Sequence, residues 1–117
     1  MKTVLVVDDS SLMRRLIKNI VIKNGYEVVG EAVNGKLGVE KYKELHPDLV
    51  TLDMVMDEMN GIEALKLIKE ENPEANVIMV SSMGQEVIVK EAILAGANNF
   101  LIKPFDEKQV VDAINKL

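Results

Sequence analysis

Short uninterrupted apolar runs alternate along this chain with longer stretches in which apolar residues recur every three or four positions. The runs are Val4-Leu5-Val6-Val7, Val28-Val29, Leu49-Val50-Thr51-Leu52, Val77-Ile78-Met79-Val80 and Phe100-Leu101-Ile102. A run with no polar break suits a strand covered on both faces, which is the condition inside a parallel sheet. The intervening stretches carry helical spacing. Leu12, Leu16 and Ile20 recur every fourth residue, flanked by Met13, Ile17 and Val21, and Gly25 follows as a helix stop. Ile62, Leu65 and Ile68 form a second stripe that ends at Asn72-Pro73, and Ile88, Ala92 and Ala95 a third that ends at Gly96. The last helix is expected to start at an Asp106 cap with Gln109 three residues on, and to run through Val110, Ile114 and Leu117.

The pattern is a β-α unit repeated five times with short connections. Alternation of this kind predicts an α/β fold: a parallel sheet of five strands with helices on both faces, because right-handed crossovers distribute the helices that way. At 117 residues the chain is expected to form one domain over 1–117. Cysteine is absent, which excludes a disulfide scaffold, a thiolate metal site and a cysteine nucleophile, and fits a cytoplasmic setting. The net charge of −5 disfavours direct nucleic-acid binding, which normally needs a basic face. The apolar run near the N-terminus is too short for a signal peptide or a membrane span.

Candidate chemistry emerges when the residues just after each run are read together, since ligands of open parallel sheets bind beyond the carboxyl ends of the strands. Asp8 and Asp9 follow the first run, Asp53 the third, Ser81 and Ser82 the fourth, and Lys103-Pro104 the fifth. Three carboxylates, a hydroxyl and an ammonium are thus expected on one edge. Clustered carboxylates repel by about 4 kcal/mol per pair at 4 Å and an effective dielectric near 20. Oxygen-only ligands without histidine or cysteine favour a hard divalent cation such as Mg²⁺. A carboxylate beside such a cation can attack phosphorus, with Lys103 and Ser81 as donors to the transferred oxygens. Taken singly, Asp8-Asp9-Ser10 reads equally well as a helix cap, Asp53 as a turn residue and Lys103-Pro104 as loop punctuation. Their joint placement at three strand ends is what capping does not explain.

Val6-Val7-Asp8-Asp9-Ser10, Leu52-Asp53-Met54, Met59-Asn60-Gly61, Val80-Ser81 and Lys103-Pro104-Phe105 resemble the receiver domain of two-component response regulators over essentially the whole chain. Ser82-Met83-Gly84-Gln85 and the closing Ala113-Ile114-Asn115-Lys116-Leu117 are similar to its stand-alone chemotaxis members. The resemblance implies a doubly wound, flavodoxin-like (βα)₅ sandwich with strand order 2-1-3-4-5. It implies that Asp53 accepts a phosphoryl group from a histidine kinase's phosphohistidine. Asp8, Asp9, Asp53 and the Val55 backbone carbonyl would hold Mg²⁺, with Mn²⁺ able to substitute. Lys103 would pair with the phosphoryl group, Ser81 would swing toward it, and Phe100 would rotate inward as the switch. The resemblance further implies a cis Lys103-Pro104 peptide, a monomer, a chemotaxis-type kinase, a flagellar motor switch or equivalent target, and a phosphatase. There are departures: Met56-Asp57 stands where the family usually reads Met-Pro, and Val55 and Met83 replace side chains that are polar in several relatives. The latter predicts slow self-dephosphorylation.

His46 is the single histidine and lies at the entrance to the third strand, roughly 20 Å by strand rise from Asp53 at its exit, which excludes a base-nucleophile pair. Charged clusters such as Lys66, Lys69, Glu70 and Glu71 read as solvated helix faces. Val89 and Ile93 are offset from the third stripe and read in two ways, as a widened buried face or as an exposed partner surface beside Phe100. A haloacid-dehalogenase-type phosphatase would need an acid two residues after the nucleophile, where Val55 stands. A flavodoxin-type carrier would need a phosphate-binding loop after the first strand. The remaining alternative is a receiver module detached from, or acting in trans on, another output such as a DNA-binding or enzymatic regulator.

Overall fold

In a computed structural model, which describes residues 2–54, 59–82 and 84–117, the strands are β1 (Thr3–Val7), β2 (Glu27–Ala32), β3 (Leu49–Asp53), β4 (Val77–Ser81) and β5 (Asn99–Ile102). The helices are α1 (Ser11–Lys23), α2 (Gly35–Leu45), α3 (Gly61–Glu71), α4 (Glu86–Leu94) and α5 (Glu107–Asn115). All strand pairings are parallel and the order is β2-β1-β3-β4-β5. The continuous runs are explained by cover on both faces. Val4 and Val6 of β1 join Ile17, Ile20 and Val21 of α1 and Val110, Ala113 and Ile114 of α5 in one core layer. Leu5 and Val7 point the other way, into a layer built with Val39 and Tyr42 of α2, Ala64, Leu65 and Ile68 of α3 and Ala92 of α4. Each fully buried Val or Leu side chain is worth about 1.5–3 kcal/mol against exposure, so these two layers carry most of the stability.

Two readings of the helix faces are corrected. The buried stripe of α1 runs through Ile17, Ile20 and Val21, whereas Leu12 is 75% exposed and Leu16 is also exposed. The apolar residues of α1 span more of its circumference than the sheet can cover, and the sheet takes the side centred on Ile17 and Val21. Lys69 is not on a solvated face. It is half-buried and donates to the Ala75 carbonyl and, at 3.1 Å, to Asn98 Oδ1, tying α3 to the loops that enter β4 and β5. Burial lowers its pKa from the ordinary lysine value.

The helix boundaries have local causes. Ser10 caps α1 by accepting from the Met13 amide at 3.2 Å, and Asn34 and Asn60 cap α2 and α3 in the same way. Asp106 and Gln109 form a reciprocal capping box on α5. Gly25 and Gly96 adopt φ of 91° and 110° just beyond α1 and α4, a region that glycine enters without steric cost. His46 ends α2 in a left-handed conformation, exposed and 3.9 Å from Glu71, in the loop before β3.

Candidate functional site

Strand order reverses between β1 and β3, and the carboxyl ends of those two strands carry the acidic residues. Among the described residues the α1 side-chain cap is Ser10, so capping does not account for the two carboxylates before it. Asp8 and Asp53 are buried, at 1% and 4% exposure, while Asp9 is exposed. One carboxylate oxygen from each of Asp8, Asp9 and Asp53 lies within 4.8 Å of the others. Lys103, at the exit of β5, places its Nζ 3.3 Å from Asp8 Oδ2 and 3.3 Å from Asp53 Oδ1. The Asp8 Oδ1 accepts the Ser10 amide at 2.9 Å.

Electrostatics of this group follow from its charges. Three carboxylates and one ammonium sum to −2. At an effective dielectric near 20, each carboxylate pair at the 4.8 Å limit repels by about 3.5 kcal/mol, and each lysine contact at 3.3 Å attracts by about 5 kcal/mol. A single lysine cannot neutralise three acids. Accordingly the Asp53 carboxyl is pushed up from 3.8 to about 6, first by burial, then by Asp8 and more weakly by Asp9, with Lys103 opposing. An oxygen-only donor set with a residual charge of −2 fits a hard divalent cation, and the nearest alternative donor type, His46, sits at the opposite end of β3.

Close approach of α3 completes the site. Gly61 donates its amide to the Met54 carbonyl at 2.8 Å, and a Cβ on Gly61 would lie 2.4 Å from the Asp53 carbonyl oxygen. Only a glycine lets the helix start this near the strand end that presents Asp53. Ser81 is buried at the end of β4, one position beyond the Asp53–Val80 register pair, and its carbonyl accepts the Lys103 amide at 2.8 Å. The Lys103-Pro104 peptide is cis.

A model of the response regulator receiver domain matches residues 4–115. The chain belongs to that family. It is 55% identical over 116 residues to the chemotaxis protein CheY of Thermotoga maritima, covering 99% of this chain and 97% of that protein. It is 56% identical over 113 residues to CheY of Bacillus subtilis, covering 97% and 94% respectively. Among solved structures it superposes at a TM-score of 0.94 on a CheX–CheY–BeF₃–Mg²⁺ complex from Borrelia burgdorferi, with 36% identity over 97% of this chain and 86% of that one. The chain is thus a CheY-like receiver of two-component signalling, a class of signalling switches.

The receiver fold brings Asp8, Asp9, Asp53 and Lys103 together and puts Ser81 at the neighbouring strand end, as the spacing of the motifs led one to expect. Val55 and Met83 lie outside the described residues, and so do Met56 and Asp57. Phe100 is half-buried against the core layer under α2, α3 and α4. Of the offset pair on α4, Val89 is half-buried and Ile93 is 47% exposed, so Ile93 belongs to the surface reading. Among the described residues no helix is long and apolar enough to cross a membrane. Sequence reasoning passed over Gly61 as a site residue and Arg14 altogether. Arg14 carried a signal: a cation in the opening turns of a helix runs against the macrodipole and calls for a partner.

Proposed function

We propose that the chain is a phosphorylation-controlled switch in which Asp53 accepts a phosphoryl group from a kinase phosphohistidine. The observation that supports this most directly is the meeting of Asp8, Asp9 and Asp53 oxygens within 4.8 Å under a single ammonium, Lys103. Asp8, Asp9 and Asp53 would hold Mg²⁺, with the Val55 carbonyl as the further protein ligand. The bound ion supplies charge neutralisation of the acids and of the transferred oxygens. Asp53 attacks phosphorus through a carboxylate oxygen. The new O–P bond forms as the P–N bond of the donor breaks, and the imidazole leaves with its electron pair. Lys103, already in contact with Asp53, moves its donor bonds to the phosphoryl oxygens. Asp8 remains anchored by the Ser10 amide throughout.

The output is a population shift. Modification replaces one carboxylate charge by a group of about −1.5 to −2 with three acceptor oxygens, which creates partners for Lys103 and for the Ser81 hydroxyl. Movement of Ser81 and of Phe100 on the adjacent strand would then reshape the face made by α4, β5 and α5, where Ile93 is exposed and Val89 half-exposed. That face would bind a flagellar motor switch component or its equivalent, and a phosphatase would act at the Asp53 edge. The chain would work as a cytoplasmic monomer, catalysing only its own phosphorylation and dephosphorylation. Intact mass after incubation with Mg²⁺ and acetyl phosphate tests the chemistry. One phosphoryl adduct in the parent, absent from Asp53→Asn and absent without Mg²⁺, is expected. A folded parent that binds beryllofluoride yet takes no phosphoryl group would limit the reading to an unphosphorylated docking module.

A further inference from the structure

The three acids are held unequally. Asp8 is fixed through its side chain by the Ser10 amide and by Lys103. Asp53 is fixed by its place in β3 and by Lys103. Asp9 lies between the end of β1 and the Ser10 cap, and among the described residues its carboxylate makes no hydrogen bond or ion pair. Its position is therefore set by its backbone alone.

That backbone is clamped from both sides. Arg14 Nη1 donates to the Asp8 carbonyl oxygen at 2.7 Å. The Asp8 carbonyl and the Asp9 amide form one planar peptide unit, so holding the oxygen holds the plane that carries the Asp9 Cα. The next peptide unit is held by the Ser10 amide on Asp8 Oδ1. Arg14 is anchored in turn: its Nε donates at 3.0 Å to Glu31 Oε1 on β2, and Lys18 holds the other Glu31 oxygen at 2.8 Å. Lys18 and Arg14 keep the Glu31 carboxyl below the usual glutamate range, against burial. A plain ion pair joining α1 to β2 would need only the Glu31 contact. It leaves unexplained why an arginine only 15% exposed sends its second donor to a main-chain oxygen beside the acidic cluster, in the opening turns of a helix where a cation is disfavoured.

We propose that Arg14 is a positioning residue for the cation site: anchored by Glu31, it fixes the Asp8–Asp9 peptide so that the Asp9 carboxylate faces a divalent cation. This rests on the reading of Asp8, Asp9 and Asp53 as an Mg²⁺ site. Outer groups that orient metal ligands typically change affinity by 10–100-fold when removed, and the lower end is expected here because Asp8 and Asp53 keep their own supports.

The test is calorimetric titration of Mg²⁺ into the metal-free full chain for the parent, Arg14→Met, Arg14→Lys and Glu31→Ala, beside urea unfolding in EDTA and amide hydrogen exchange without metal. Arg14→Met is expected to weaken Mg²⁺ binding about 10-fold and to speed exchange at the Ser10 amide, which donates to Asp8 Oδ1, while distant core amides keep their protection. Arg14→Lys recovers part of the affinity, because an ammonium still reaches the carbonyl but lacks the fork that spans both partners. Glu31→Ala, which frees the guanidinium from its anchor, weakens binding about 3-fold and carries the test if Arg14→Met does not fold. Parent-like Mg²⁺ affinity in folded Arg14→Met, or in Glu31→Ala where that variant must serve, overturns the positioning role and leaves the cation site standing. Absence of Mg²⁺ binding in the parent overturns both.

Discussion

Replacing Asp53 by asparagine is expected to stabilise the metal-free protein, although it destroys the proposed phosphoacceptor. Asp53 is nearly buried, faces Asp8 and Asp9, and has one lysine shared with Asp8. Its carboxyl titrates at about 6 in the fold against 3.8 as a free group. The folded state therefore binds the proton more tightly than the unfolded chain, and stability falls as pH rises. The penalty is absent well below 3.8, grows between about pH 4 and 6, and is complete above about pH 7. The gap corresponds to about 3 kcal/mol. Asparagine removes that cost, and because the Lys103 attraction already opposes it within the shift of Asp53, a net gain of about 3 kcal/mol is expected at pH 7.5. For a domain of this size each kcal/mol moves the midpoint by about 3–5 °C. Thermal unfolding in EDTA, followed by circular dichroism at pH 7.5 and pH 4, is the assay. The variant should unfold well above the parent at pH 7.5, with the difference shrinking toward zero at pH 4. Saturating Mg²⁺ should close the gap from the other side, since it stabilises the parent by binding only the native state. An asparagine variant no more stable than the parent at pH 7.5, or a difference independent of pH, would refute the account of the site's electrostatics.

Other substitutions separate packing from chemistry. Gly61→Ala puts a Cβ 2.4 Å from the Asp53 carbonyl oxygen and should cost about 2 kcal/mol or more in urea unfolding while slowing phosphorylation, and an unchanged protein would contradict the close approach. Thr51 Oγ1 is buried with no partner among the described residues, so Thr51→Val should raise stability by about 1 kcal/mol, and a loss would show that the hydroxyl is satisfied. Ile93→Asp should leave stability within about 0.5 kcal/mol of the parent and abolish binding of the phosphorylated protein to its target. Unfolding of that variant would return Ile93 to the core.

Much of the fold was legible because both faces of the sheet are covered. β3 and β4 are buried along their length and β1 from Val4 to Val7, and their runs were therefore continuous. β2 is an edge strand of six residues with half-buried positions, and only its Val28-Val29 pair stood out. The α2 face was silent for another reason: two of its four buried residues are Gly35 and Gly38, which carry no hydrophobic signal. Asp8, Asp9, Asp53 and Lys103 could be placed together because chain direction is shared by all five strands, so every strand exit falls on one edge. What sequence could not convey were contacts that depend on a few tenths of an ångström or on side-chain reach across elements. Gly61 against Asp53, Lys69 across to Asn98, and Arg14 bridging Asp8 and Glu31 are of that kind.

The central claim is that Asp53 is the residue that takes the phosphoryl group. An acyl phosphate is reduced by borohydride to the corresponding alcohol, so treating the phosphodonor-exposed protein with borohydride and sequencing its peptides by fragment mass spectrometry locates the acceptor. The account predicts homoserine at position 53 only, dependent on Mg²⁺ and lost when Asp8 or Asp9 is replaced by asparagine. Reduction at Asp8 or Asp9, or modification at 53 that needs no divalent cation, would contradict it.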